Sequence, residues 1–273
     1  MQGNSSGVEQ ENLTDFKVAG RFYTDDTNGG MVFSVPDNTT QGFSAKYPRT
    51  ELREMLIGLD HLNNVVDLNN NWVLSSYSDS VKQQAGGING ILKATISVDE
   101  VSRTVVSNTT FKVGRVIIGQ IHAGGREPCR LTYRKLPNNT RGGVYIATAP
   151  ETGYLNNADF IEDMVGSWQD DAADPTNGFA LGEKFSYKIQ AIGSILTVTL
   201  YKADGSLIVS TNNPATVDLS GFGFIETSDY LYFKAGAYAQ DDTATAPQEN
   251  STVIFYDLKA THGTYANPTP PQP

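Results

Sequence analysis

Apolar and polar residues alternate with a period of two along much of the chain. The clearest run is 230–240, YLYFKAGAYAQ, where one parity reads Tyr, Tyr, Lys, Gly, Tyr, Gln and the other Leu, Phe, Ala, Ala, Ala. Successive side chains on a strand point to opposite faces. The pattern therefore predicts a strand with an apolar face on a core and a second face lined by phenols, an ammonium and an amide. Residues 112–123 (KVGRVIIGQIHA), 185–191, 195–202 and 251–260 carry the β-branched and aromatic residues of further strands. The stretch 185–211 reads as a meander turning at Ile192-Gly193-Ser194 and at Ala203-Asp204-Gly205-Ser206. Helical patterning is confined to Glu54–Leu62 and Asn157–Trp168. Many short strands without alternating helices predict an all-β jelly roll, a sandwich of two antiparallel sheets with a concave cleft. The patterned body spans 16–263, between a polar tail at 1–15 and a Pro-rich tail at 264–273.

Composition narrows the chemistry. At 273 residues the chain can bury a large core, and its formal charge of −10 lacks the basic footprint of a nucleic-acid binder. A local basic cleft can still exist on an acidic protein. The single cysteine, Cys129, rules out an internal disulfide and a multi-cysteine metal site, and three histidines (His61, His122, His262) make a histidine-rich one unexpected. No apolar run is long enough to span a membrane, and the first residues carry no signal-peptide stretch. Sequons begin at Asn4, Asn12, Asn38, Asn108, Asn138 and Asn250, a pattern that a chain rich in Asn and Thr produces by chance. The surface composition suggests a secreted protein, and the chain is expected to act as a monomer.

Three short segments concentrate reactive side chains on one parity. In Arg49-Thr50-Glu51-Leu52-Arg53, two guanidiniums flank a carboxylate and would be held by ion pairing. Taken alone, this is better read as a surface salt-bridge ladder of little energetic weight. In the second segment an apolar strand suddenly presents Gln120 and His122 on one face. A lone histidine is more often structural, but this one is paired with an amide that both donates and accepts, and histidine is easily poised as a base. The third is the strand at 230–240. Solvation by Lys234 explains its polar row, but not the reduction of the other face to Ala235, Ala237 and Ala239.

RTELRE at 49–54, QIH at 120–122 and YFKAGAYAQ at 232–240, in this order and spacing, resemble the three signature motifs of polysaccharide lyase family 7 alginate lyases. The resemblance runs from about Phe16 to Gly263, through IIGQIHAGGREPCRLTYRKLPNNTRGGVYIA, EKFSYKI and VIFYDLKATHG. It implies a jelly roll that cleaves alginate, a polymer of mannuronate and guluronate, by β-elimination. That reaction requires the C5 proton to be acidified by neutralising the neighbouring carboxylate, then a base, then an acid at O4. By resemblance Gln120, Arg49 and Arg53 would neutralise the carboxylate, His122 would be the base for guluronate and Tyr238 the acid. For mannuronate Tyr238 could serve as both base and acid, which requires cations beside the phenol. Tyr232, Lys234 and Gln240 would be substrate contacts, and Glu51 would orient the arginines. Ile121 in the QIH motif is associated in the family with guluronate-containing blocks. No cofactor is implied and no catalytic metal is required, although so acidic a surface leaves room for a structural calcium.

Two other classes compete. A non-catalytic carbohydrate-binding jelly roll would keep the aromatic row but has no need of a Gln/His pair beside arginines. A glycoside hydrolase needs two carboxyl groups flanking the bond, and the polar rows supply Glu51 alone.

Overall fold

The computed structural model describes residues 10, 12–36, 47–57, 67–105, 112–225, 230–241 and 249–273. Among these residues the strands are β1 (Phe22–Thr24), β2 (Met31–Pro36), β3 (Arg49–Arg53), β4 (Trp72–Val73), β5 (Gly87–Glu100), β6 (Arg115–Ala123) and β7 (Arg126–Arg134). They continue as β8 (Gly143–Thr148), β9 (Phe160–Val165), β10 (Phe185–Ile192), β11 (Ile195–Lys202), β12 (Ala215–Asp218), β13 (Leu231–Ala239) and β14 (Asn250–Gly263). The α-helical content of the same residues is one turn, Asp79–Lys82.

The strands form the two layers of a jelly roll. One runs β3-β13-β6-β7-β8-β9 and the other β1-β2-β14-β5-β10-β11-β12. The short β4 joins them by pairing in parallel with β5 and touching β13 at Leu231, so hydrogen bonding is continuous through both layers. Alternation decides which residues go inside: Phe185, Tyr187, Ile189 and Ala191 of β10 are buried, as are Leu196, Val198 and Leu200 of β11. They meet Trp72, Ile118, Leu131, Tyr133 and Phe233 in one core. Burial of such side chains contributes about 1.5–3 kcal/mol each. Tyr187 reaches across the sandwich and donates to the carbonyl of Ile118 at 3.0 Å. A Cβ on Gly119 would lie 2.8 Å from that hydroxyl. The glycine just before Gln120 is thus a packing requirement, which anchors the middle of β6 to the opposite layer.

Three local expectations are corrected. Residues 157–168 are not a helix: a 3-10 turn at Leu155–Asn157 leads into β9, which pairs with β8. An edge left bare on β8 would expose a row of backbone groups, and β9 satisfies them before Gly166, at φ 71°, ends the strand. At 54–62, the described residues 54–57 are not helical, and 58–62 lie outside the described residues. Glu54 N–H instead donates to the carbonyl of Phe233. The meander turns at 203–206 as expected, but its return is limited to a bridge between Leu207 and Tyr201, and the strand that pairs with the rest of β11 is β12. Asn213 limits that pairing, because its side chain accepts from the Leu200 N–H and donates to the carbonyls of Leu200 and Ile208, next to the single bond from the Ile208 N–H to Leu200.

The Pro-rich end folds back on the body. Asn89 donates to the carbonyl of Pro268, Thr261 to that of Pro271, and Pro270 is buried.

Candidate active site

The three motifs lie on the adjacent strands β3, β13 and β6. In register, Lys234 lies opposite both Arg53 and Gln120, Tyr232 opposite His122, Gly236 opposite Glu51 and Tyr238 opposite Arg49. The β13–β6 pairing slips between Ala235 and Tyr238. Gly236 sits in this irregularity at φ 153°, and a Cβ there would meet the carbonyl oxygen of Thr50 at 2.3 Å. Only glycine allows β3 to lie so close. Ala235, Ala237 and Ala239 point into the core with at most 3% exposure, leaving Tyr232, Lys234 and Tyr238 together on the other face.

The missing side chain at Gly236 gives Glu51 a path across β13. Its carboxylate takes the Lys234 ammonium at 2.5 Å on one oxygen and the Gln120 side-chain amide on the other. The expectation that Glu51 orients the arginines is therefore revised: it holds Lys234 and Gln120. The arginines are set by aromatic rings. The Arg49 guanidinium lies 3.8 Å from the centroid of Tyr238 and donates to its hydroxyl at 2.8 Å. The Arg53 guanidinium lies 3.9 Å from the centroid of Tyr232 and donates to Asn71 at 3.2 Å. Tyr232 carries the His122 imidazole on its ring, stacked at 5.0 Å and 14°, and Tyr230 stacks on Tyr232 at 6.0 Å. Gln240 lies near the Tyr238 phenol, and its side-chain amide donates to the carbonyl of Ala239 at 3.2 Å. All nine residues singled out in the sequence thus share one face.

Electrostatics assign protonation states. Burial first, then Lys234, Arg49 and Arg53, push the His122 pKa down to about 4, so the imidazole is neutral at neutral pH and can accept a proton. Burial raises the Tyr238 hydroxyl, against the opposing pull of Arg49, so the phenol keeps its proton and can give it away. Burial likewise pushes Tyr232 up to about 12.

Sequence reasoning missed Glu127. Its carboxylate lies 3.5 Å from His122 Nε2, and burial raises its pKa. Gly124-Gly125, two residues after His122, was the available signal: it folds β7 back on β6 and makes Glu127 a cross-strand neighbour. Glu51 is therefore not the only carboxylate near the reactive face, although both its oxygens are engaged. Glu54, the last residue of the first motif, is structural. It accepts from Trp72 Nε1 and Phe233 N–H and bonds His262, whose other ring nitrogen faces the carbonyl of Asn89. A cavity of about 470 Å³ lined by Lys93, Lys188 and Tyr201 lies on the opposite layer and shares none of these residues.

Comparison with known proteins agrees with this face. The sequence profile of the family described as alginate lyase matches residues 1–262. An alginate lyase from Klebsiella pneumoniae is 42% identical over 270 residues, covering 96% of this chain and 84% of the relative. The crystal structure of the alginate lyase from that organism superposes with a TM-score of 0.81 at 43% identity, over 91% of this chain and 86% of the other. The fold is also shared with the exolytic family 7 alginate lyase of Zobellia galactanivorans, at a TM-score of 0.66 and 20% identity, over 95% and 93% of the two chains. Three motifs on one face, a matching profile and a relative of this similarity lead to one conclusion: the chain belongs to the alginate lyases of polysaccharide lyase family 7.

Proposed function

We propose that this protein cleaves the 1,4-glycosidic bonds of alginate by β-elimination, leaving an unsaturated uronate at the new end. The observation that carries the reading is the placement of His122 and Tyr238 on one face with Lys234, Arg49 and Arg53; burial and these cations favour a neutral imidazole, and burial a protonated phenol. These cations draw in the uronate carboxylate, and together with the Gln120 amide they stabilise the charge that develops when C5 loses its proton. Gln120 has a second N–H beyond the one given to Glu51.

For guluronate, His122 takes the C5 proton, the electron pair forms the C4–C5 double bond, and the C4–O4 bond breaks as Tyr238 protonates O4. For mannuronate, where C5–H and O4 leave from the same side, Tyr238 serves as both base and acid, with Arg49 on its ring to stabilise the phenolate. A hydrolase is disfavoured because both oxygens of Glu51 are engaged. A binding module would have no use for an imidazole held neutral beside a phenol. In keeping with this reading, a family 7 relative has been crystallised with the substrate GGMG in a form with one histidine and one tyrosine replaced. We place the action outside the cell, on polymer, by a monomer.

The test is ultraviolet absorbance of the unsaturated product on incubation with alginate. Wild type should produce it, and Tyr238→Phe should lose at least ~100-fold in kcat, the scale of general acid–base catalysis. Binding without absorbance, or new reducing ends without absorbance, would overturn the assignment.

A further inference from the structure

Glu127 has no place in the scheme above, yet it is built into the site. Register along β6–β7 places Gln120 opposite Arg130 and Ile121 opposite Cys129, then slips so that Ala123 faces Arg126. Two residues, Glu127 and Pro128, therefore oppose the single residue His122. Such a bulge re-aims a side chain, and bulges are common beside active sites. Here it leaves the Glu127 carboxylate 3.5 Å from His122 Nε2. The other ring nitrogen, Nδ1, is buried without a hydrogen-bond partner.

The charges around His122 show what this carboxylate does. From β13 comes Lys234 and from β3 come Arg49 and Arg53, all opposing a positive imidazole, while Tyr232 covers its ring. Glu127 itself is flanked by Arg130, which is paired with Asp159. An imidazole that has taken the C5 proton becomes a cation among three others, and Glu127 is the nearest carboxylate to balance it.

We propose that Glu127 is a positioning residue for proton abstraction by His122: lying 3.5 Å from Nε2, it becomes the ion-pair partner that holds the imidazolium formed on the guluronate path. The inference rests on the lyase reading above. The C5–H bond breaks and an N–H bond forms on His122. The pair left on C5 becomes the new double bond, and O4 departs with the proton of Tyr238. The imidazolium then returns a proton to the tyrosinate through solvent, so no other reactant is consumed. Because the mannuronate path places no proton on His122, Glu127 is dispensable there.

The experiment compares wild type, Glu127→Gln, Glu127→Asp and His122→Gln on separated guluronate and mannuronate blocks, with melting curves to check the fold. On guluronate, Glu127→Gln should lower kcat at least ~10-fold with KM little changed. The acid limb of its kcat/KM profile should move to lower pH, because the imidazolium has lost its counter-charge. Glu127→Asp, which keeps the charge, should recover part of the rate. In the His122→Gln background, Glu127→Gln should have no further effect. On mannuronate its kcat should stay near wild type. Equal losses on both blocks, an unmoved acid limb, or additive losses with His122→Gln would overturn the proposal. So would a wild type active on mannuronate alone. With a wild type active on guluronate alone, the limb and the double variant decide. A wild type that yields no absorbance on either substrate overturns the lyase reading itself.

Discussion

Glu51→Gln separates what holds the site together from what makes it act. The Glu51 carboxylate is 3% exposed and its Lys234 partner 13%. One oxygen takes the ammonium at 2.5 Å and the other the Gln120 amide. The substitution keeps an acceptor for Gln120 but turns an NH2 group towards the ammonium, leaving Lys234 unpaired beside two arginines. Breaking a buried pair costs about 3–5 kcal/mol, and residual hydration of Lys234 puts this case near the lower end, ~3 kcal/mol. At roughly 2–4 °C per kcal/mol for a domain of this size, the melting temperature should fall by roughly 6–12 °C.

The decisive comparison is the double variant Glu51→Gln/Lys234→Met. With both charges removed, no unpaired ion remains. Stability should return to within about 1 kcal/mol of wild type, while activity stays low because the ammonium that draws in the uronate is gone. Denaturant unfolding gives the stabilities and the ultraviolet assay the activities. If the double variant is less stable than Glu51→Gln by the full cost of Lys234→Met alone, the pair is not coupled and the reasoning fails.

Gly236→Ala places a Cβ 2.3 Å from the Thr50 carbonyl oxygen at an unfavourable φ. It should cost about 1–3 kcal/mol in denaturant unfolding and depress activity, because β3 carries Arg49 and Arg53 away from β13. His122 has a folded pKa of about 4 against an ordinary 6.5. Its contribution is therefore fully present above pH 6.5 and is lost as pH falls towards 4, amounting to ~3 kcal/mol. His122→Gln should flatten stability over that window, and an unchanged slope would contradict the neutral buried imidazole. Glu54→Ala leaves Trp72 Nε1, Phe233 N–H and His262 without their shared acceptor. It should cost several times the ~1 kcal/mol of a single hydrogen bond, read as a lower unfolding midpoint and altered tryptophan fluorescence.

Much of this site was legible because β-strands convert parity directly into sides. Tyr232, Lys234 and Tyr238 share a face through alternation alone, and Gln120 with His122 likewise. Alternation cannot say which strands are neighbours. That β13 lies between β3 and β6, and that Glu51 crosses it to Gln120, depends on Gly236 and on a register slip with no local signal beyond the glycine itself. The misread helix at 157–168 has the same origin: an apolar segment of mixed spacing becomes a strand because β8 offers it an edge. Glu127 was hidden because its role comes from a bulge, which moves a side chain without altering the hydrophobic pattern.

On the proposed mechanism, the same cations that would recognise the substrate also act on the protonation of the base. Burial first, and then Lys234, Arg49 and Arg53, lower the affinity of His122 for a proton, so the cations reinforce a base that is already free at neutral pH, at the expense of its strength. A uronate carboxylate arriving among them neutralises part of that field. His122 would then become a stronger base when a C5 proton is within reach, while Tyr238, still under the Arg49 guanidinium, would remain able to release its own. A cluster that merely bound polyanions would need the positive charge but not its coupling to an imidazole and a phenol. That coupling explains why the histidine and tyrosine lie inside the cationic patch rather than beside it, and how an elimination site can operate on a chain whose overall charge is −10.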